Sequence, residues 1–318
     1  MTLLFNLLFF VIACVGLILS GSFLVRSLTK ISRFLRITEF VAAFVIISLA
    51  TTVPELFVGI SSAISRIPSL SLGNVIGSNI VNLTLVLGIP ILLARQIKIE
   101  SKAVRRDALY MVLLTPLPLI LMLLGGQLSR LDGILLLIIF CFFSYKIYKT
   151  QRKFPKVLEN HIKPLEMFLF TILFLLSIAA LFFSAHFVVK YAANLAGNLN
   201  FAPLLIGLFL VALGTSLPEL VFRATAAIKG HSEMALGNTI GANAANLTLV
   251  LGITALIYPI QTDFLSFLIA SVFMVVISFV FLTFLESEDR LSWKEGLSLI
   301  LLYVFFIIIE IYLQKISY

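Results

Sequence analysis

Long apolar runs separated by short polar stretches follow one another along the whole chain. Runs long enough to cross a hydrocarbon core of ~30 Å begin near residues 3, 38, 72, 107, 131, 165, 202, 236, 264 and 295, which predicts ten spanning helices. The few polar residues inside these runs are not scattered. They gather around Glu55 in the second run, Asn74 to Asn82 in the third, Glu219 in the seventh and Asn238 to Asn246 in the eighth.

The pattern is also repeated. Glu55 and Glu219 are 164 residues apart, as are Gly73 and Gly237, and Gly88 and Gly252. Across 51–90 and 215–254 half of the positions are identical without a gap, including Pro54/Pro218, Asn74/Asn238, Asn79/Asn243, Asn82/Asn246 and the run Leu-Thr-Leu-Val-Leu-Gly-Ile. Ten spans divide into five and five, and an odd number per half makes the second copy enter the membrane from the opposite face. The chain therefore reads as an all-α polytopic membrane protein with ten transmembrane helices in two inverted five-helix repeats. The repeats occupy 1–150 and 164–318, and a basic linker with Pro155 spans 151–163.

Composition agrees with that reading. With 61% hydrophobic and only 12% charged residues, a soluble fold of 318 residues could not cover its apolar surface. The net charge of +8 does not indicate nucleic acid, because the basic residues sit in the short connections. Of 23 Lys and Arg, 18 follow odd-numbered spans, four lie on the opposite side and Arg223 is inside a span. The positive-inside rule then places both termini outside a plasma (inner) membrane, with the bilayer as partner and no obligatory protein partner evident. The first run has no basic region before it and the cluster Arg26, Lys30, Arg33 and Arg36 after it, the pattern of a retained helix and not of a cleaved signal. Cys14 and Cys141 both lie in apolar stretches, so they suit neither a disulfide framework nor a metal cluster.

The polar clusters carry the candidate chemistry. Pro54 removes a backbone donor within an apolar helix and frees a carbonyl near residue 50, a hard ligand of the kind Na⁺ and Ca²⁺ take. Glu55 follows directly, in the first turn of the next half-helix, where the dipole favours negative charge. Gly214-Thr-Ser-Leu-Pro-Glu219 repeats the device. Two intramembrane carboxylates, one from each half, call for a counter-charge, and a bound cation supplies it. The alternative is a pair of neutral carboxyls bracing kinked helices, with Thr51, Thr52, Thr215 and Ser216 mending the proline breaks. Asn74, Ser78 and Asn82 form one polar stripe at i, i+4, i+8. Asn74 and Asn79 suit either ligation or helix packing, and Gly73 and Gly77 allow close helix approach.

These residues resemble the two α-repeats of the sodium/calcium exchanger superfamily, the Ca²⁺:cation antiporters. Members typically carry Gly-Thr-Ser-Leu-Pro-Glu-Leu, which residues 214–220 reproduce, followed by Gly-Asn-x-x-Gly-Ser-Asn, which begins here at Gly73. The resemblance implies a secondary active antiporter, most simply Ca²⁺:Na⁺ exchange by alternating access, with spans 1 and 6 sliding against the rest and with no cofactor. It implies that Glu55 and Glu219 are shared carboxylates for both ions, with Thr51 and Thr215 at the Ca²⁺ position. Thr52, Ser78, Asn82, Ser216 and Asn246 would complete the Na⁺ positions with the backbone oxygens of Ser48 and Ala212.

Three departures bear on ion choice. Ala242 stands where members carry serine, and Asn246 where some carry aspartate. Arg223 lies one turn after Glu219, at a position the first half fills with Gly59. It either pairs with Glu219 as a built-in cation or snorkels to an aqueous face. The departures leave open Ca²⁺/H⁺ or monovalent cation/H⁺ antiport on the same fold. Different classes remain as rivals: a non-transporting scaffold, which would not need two carboxylates at equivalent depths, or an intramembrane enzyme. Against an enzyme, His161, His186 and His231 all lie outside the motifs, and no nucleophile or multi-His pattern is present.

Overall fold

The computed structural model describes residues 3–34, 48–99, 102–151, 163–199 and 201–317, and nearly all of them are helical. In chain order the helices are α1 (Leu3–Phe34), α2 (Ser48–Ile64), α3 (Pro68–Ala94), α4 (Lys102–Gly125), α5 (Arg130–Gln151) and α6 (Pro164–Leu199). There follow α7 (Pro203–Thr215), α8 (Leu217–Ile228), α9 (Ser232–Ile257), α10 (Phe264–Ser287) and α11 (Trp293–Ser317). Among the described residues seven helices are long and apolar enough to cross a membrane, or eight with the bent pair α7–α8 taken as one span. The predicted second span is represented by α2 alone, since residues 38–47 fall outside the described residues, as does all of the expected linker except Gln151 and Lys163. The chain is a multi-pass membrane protein.

Side-chain placement is that of a protein dissolved in lipid. The helix α6 exposes Phe168, Leu169, Leu175, Leu176 and Phe183. By contrast α3 buries every residue from Leu70 to Leu83, asparagines and serines included. Apolar surface faces hydrocarbon, and polar side chains are collected inside where they can meet one another.

The helices α1 and α6 pack along one another at the side of this core. Phe9 stacks on Tyr191 at 5.4 Å, and Asn194 Nδ2 donates to Asn6 Oδ1 at 3.3 Å. Gly21 of α1 lies over both motif prolines, since a Cβ there would stand 3.1 Å from Pro54 Cγ and 3.5 Å from Pro218 Cγ.

Two β links tie the ends of the helices. The strand β1 (Gln96–Lys98) pairs antiparallel with β2 (Arg290–Ser292), with Ile97 opposite Leu291. An isolated bridge joins Leu128 to Ile260, with N···O distances of 3.0 and 2.9 Å. The first link belongs to the connections after α3 and α10, and Lys98 N–H also donates to Ser232 Oγ at the start of α9. The second belongs to the connections after α4 and α9, where Gln261 donates to Gln127 at 2.7 Å. Stepping 164 residues from Gln96 reaches Ile260, and from Leu128 reaches Ser292, so the repeat exchanges the two links. The helices exchange partners in the same way, within one residue of that step: α3 meets α11 through Gly88 and Gly296, and α9 meets α5 through Gly252 and Gly133.

The two proline motifs are shaped differently. Within the described residues α2 runs as one helix through Pro54. In the second half the chain passes through a π-helical turn at Gly207–Val211 and bends by 42° between α7 and α8, at Ser216. The next helices also differ, since α3 breaks at Thr84 (φ −112°, ψ −85°) while α9 widens into a π-turn over Asn246–Val250.

Candidate functional site

Close backbone contact between halves builds the site. A Cβ on Gly73 would run into the Leu204 carbonyl, and one on Gly77 into the Leu208 carbonyl, so only glycine lets α3 lie this close to α7. Gly207 returns the contact against Leu70 and Asn74. This approach brings the stripe on α3 to Thr215. The Thr215 hydroxyl donates to Asn74 Oδ1 at 3.1 Å and lies 3.3 Å from Ser78 Oγ, which reaches Glu55 Oε1 at 3.5 Å.

Both carboxylates are sealed from the surface, Glu55 at 0% and Glu219 at 1% exposure. Glu55 Oε2 and both carboxylate oxygens of Glu219 lack a hydrogen-bond donor. So do Asn82 Oδ1, Asn246 Oδ1, and the hydroxyls of Ser48 and Ser216 find no partner. Buried polar atoms in a folded protein are almost always paired. These unpaired oxygens come from α2, α3, the bend at Ser216, α8 and α9, with the side-chain amides of Asn82 and Asn246 bonded at neither end, and they have the donor chemistry of a shell for a hard cation. Among the described residues no three His, Cys, Asp or Glu side chains gather, so the remaining donors are neutral oxygens.

Other predicted ligands are engaged within the protein. The Ser48 carbonyl accepts from Thr52 Oγ1 at 2.8 Å and Thr51 Oγ1 at 3.1 Å. The Ala212 carbonyl accepts from the Ser216 N–H at 3.1 Å and lies 3.3 Å from Thr215 Oγ1, an alternative acceptor for that hydroxyl. These hydroxyls brace the helices beside the prolines, one of the two roles their positions allow. Asn79 faces away, its Nδ2 on Met274 Sδ of α10 at 3.7 Å, which favours packing over ligation.

Arg223 does not snorkel. It is 0% exposed and turns inward, with Nε donating to Asn238 Oδ1 at 2.8 Å and Nη1 to the Asn82 carbonyl at 2.9 Å. The break at Thr84 explains the second bond, because the last carbonyls of a helix have no partner within it. No ion pair within 4 Å joins Arg223 to a carboxylate among the described residues. Direct pairing with Glu219, the other alternative, is thus also not seen, and Arg223 bonds to neutral oxygens instead. Asn238, not foreseen as a site residue, is the centre of this arrangement, since its Nδ2 donates onward to Thr51 Oγ1 at 3.1 Å. Its position 164 residues after Asn74 was the available signal.

Over residues 5–149 and again over 169–312 the chain matches the family model described as sodium/calcium exchanger protein. It is 27% identical to the sodium/calcium exchanger MaX1 of Methanosarcina acetivorans, over 97% of this chain and 99% of that protein. It is 32% identical to the inner membrane protein YrbG of Escherichia coli, over 84% of this chain and 85% of the relative. Its structure is similar to that of the sodium-calcium exchanger NCX_Mj soaked with Na⁺ and Sr²⁺, with a TM-score of 0.68 and 25% identity, over 95% of this chain and 97% of that one. The chain belongs to the sodium/calcium exchanger protein family.

Proposed function

We propose that the protein is a secondary active antiporter that exchanges Ca²⁺ for Na⁺ across a plasma (inner) membrane by alternating access. Two inverted five-helix halves, 1–150 and 164–318 joined at 151–163, make up the carrier in ten spans with both termini outside. The exchange of the two β links under the 164-residue repeat supports the inversion. The Lys and Arg residues of the connections after α3 and α10, which β1–β2 pairing brings to one side, support the orientation.

The observation that carries the reading is the set of unpaired buried oxygens contributed by both halves. In this reading Glu55 and Glu219 bind either Ca²⁺ or Na⁺ in turn, with Thr51 and Thr215 beside the Ca²⁺ position. Ser78, Asn82, Ser216 and Asn246 serve the Na⁺ positions. Thr52 and the Ser48 and Ala212 carbonyls join them when a cation competes for oxygens that now accept hydroxyl and amide protons. Mutual repulsion of two carboxylates in a low-dielectric interior makes the cation-loaded pocket the stable one, and this couples release of one ion to entry of the other. Ions are substrates here, and no cofactor is invoked.

Purified protein in liposomes loaded with Na⁺ is expected to take up ⁴⁵Ca²⁺ when the gradient is imposed and to stop when it is collapsed. Gradient-independent uptake, or none with any cation, contradicts the reading.

A further inference from the structure

Arg223 has no counterpart in the first half. There Gly59 takes the equivalent position, and a Cβ would lie 2.6 Å from Thr254 Oγ1 and 3.1 Å from Ser71 Oγ. A fully buried arginine among membrane helices is costly unless its charge is met. Its hydrogen-bond acceptors are neutral, and Nη2 has none. What meets the charge is the carboxylate site: Arg223 lies one turn after Glu219 on α8, and its Nη1 holds the backbone carbonyl of Asn82, whose side-chain oxygen is one of the unpaired donors. The group is permanently protonated and held from two sides, by α9 through Asn238 and by the end of the first segment of α3 through Asn82. It cannot leave with the transported ions.

We propose that Arg223 is a fixed cation of the transport site: its guanidinium takes the place of one transported monovalent cation and biases the pocket against divalent ions. The inference rests on the reading of Glu55 and Glu219 as a cation site. With two carboxylates and one guanidinium the pocket carries a net charge of −1 and not −2. One monovalent ion fewer then balances it. The bias against divalent ions follows from Coulomb's law, since a fixed positive charge repels Ca²⁺ with twice the energy it exerts on Na⁺ at the same place. The amide of Asn238 records the same influence. Asn74 offers its oxygen to Thr215, whereas Asn238 must offer its oxygen to Arg223 and turns its NH₂ towards Thr51.

The test compares wild type, Arg223→Gln and Arg223→Lys as full-length protein. Equilibrium binding of ⁴⁵Ca²⁺ and ²²Na⁺ is measured in detergent, and the Na⁺:Ca²⁺ coupling ratio is obtained from reversal potentials in liposomes. Arg223→Gln is expected to bind Ca²⁺ about tenfold more tightly or better, with a gain for Na⁺ of roughly the square root of that factor. It is expected to couple one more Na⁺ to each Ca²⁺, while Arg223→Lys keeps the wild-type preference. A folded Arg223→Gln whose affinities for the two ions are unchanged, or change by the same factor, overturns the proposal. So does Arg223→Lys shifting as far as Arg223→Gln, which would mark a packing role. If Arg223→Gln does not fold, Arg223→Gly is measured with and without millimolar guanidinium. Added guanidinium is expected to weaken Ca²⁺ binding more than Na⁺ binding, and an equal effect on both refutes the idea. If the binding differences appear but wild type moves no ion in liposomes, the transport reading fails and the fixed cation stands. If no variant binds either ion, both fall.

Discussion

One turn after Glu55 the chain is small and its neighbours polar: Gly59 sits there, and beside it Ser71 and Thr254 share a 3.1 Å hydrogen bond. Around Glu219 the equivalent positions hold Arg223, Ala235 and Pro90. A glycine beside two hydroxyls in one half thus corresponds to a large cation in the other, where the two hydroxyl positions have become alanine and proline. The backbone plan is duplicated, with Thr215 on Asn74 matched by Thr51 on Asn238. The charge is not. Repetition of a motif reproduces where the helices cross, while single side chains within that frame set the charge that the crossing presents to an ion.

Removing either carboxylate should have the largest effect. Glu55→Gln and Glu219→Gln are each expected to weaken Ca²⁺ binding by at least ~100-fold, because each halves the negative charge facing a divalent ion. Isotope binding checks this, and a variant that keeps wild-type affinity would show that its half contributes no charge. Next comes the close contact that joins the halves. Gly73→Val drives a side chain into the Leu204 carbonyl and should cost about 3 kcal/mol or more, or prevent assembly. Gly197→Ala, on α6 with open space around it, should leave the melting temperature in detergent unchanged or slightly raised.

Smaller effects separate the two Asn–Thr pairs. Thr215→Val removes a hydroxyl that touches both Asn74 and Ser78, and should cost about 1–2 kcal/mol of stability and reduce ion affinity several-fold. Thr51→Val leaves the Asn238 amide without one acceptor but keeps it on Arg223, so about half that loss is expected. Equal losses would mean that Arg223 does not hold Asn238 in place. Smallest of all, Ser71→Ala breaks the bond to Thr254 outside the carboxylate cluster and should cost about 0.6 kcal/mol with no change in ion binding.

Much of this was legible in the chain. Glu55 and Glu219 could be paired because their 164-residue separation recurs at Gly73/Gly237 and Gly88/Gly252 without a gap, and apolar run length located most helices. Direction was not legible. Whether Arg223 points to water or inward depends on an acceptor 141 residues away in sequence, the Asn82 carbonyl, made available by the break at Thr84. Pro54 and Pro218 look alike in sequence, yet one lies in a continuous helix and the other beside a 42° bend, since the surrounding helices decide how a missing donor is absorbed. The β links were equally invisible, one a three-residue pairing between connections almost 200 residues apart and the other a single bridge from Leu128 to Ile260.

The most direct test of the central claim is the electron density of crystals grown in Na⁺ and then soaked in Ca²⁺. After the soak one strong peak is expected within about 2.3–2.6 Å of carboxylate oxygens of both Glu55 and Glu219. A peak bound by one half alone, or no exchangeable peak between the two carboxylates, would contradict it.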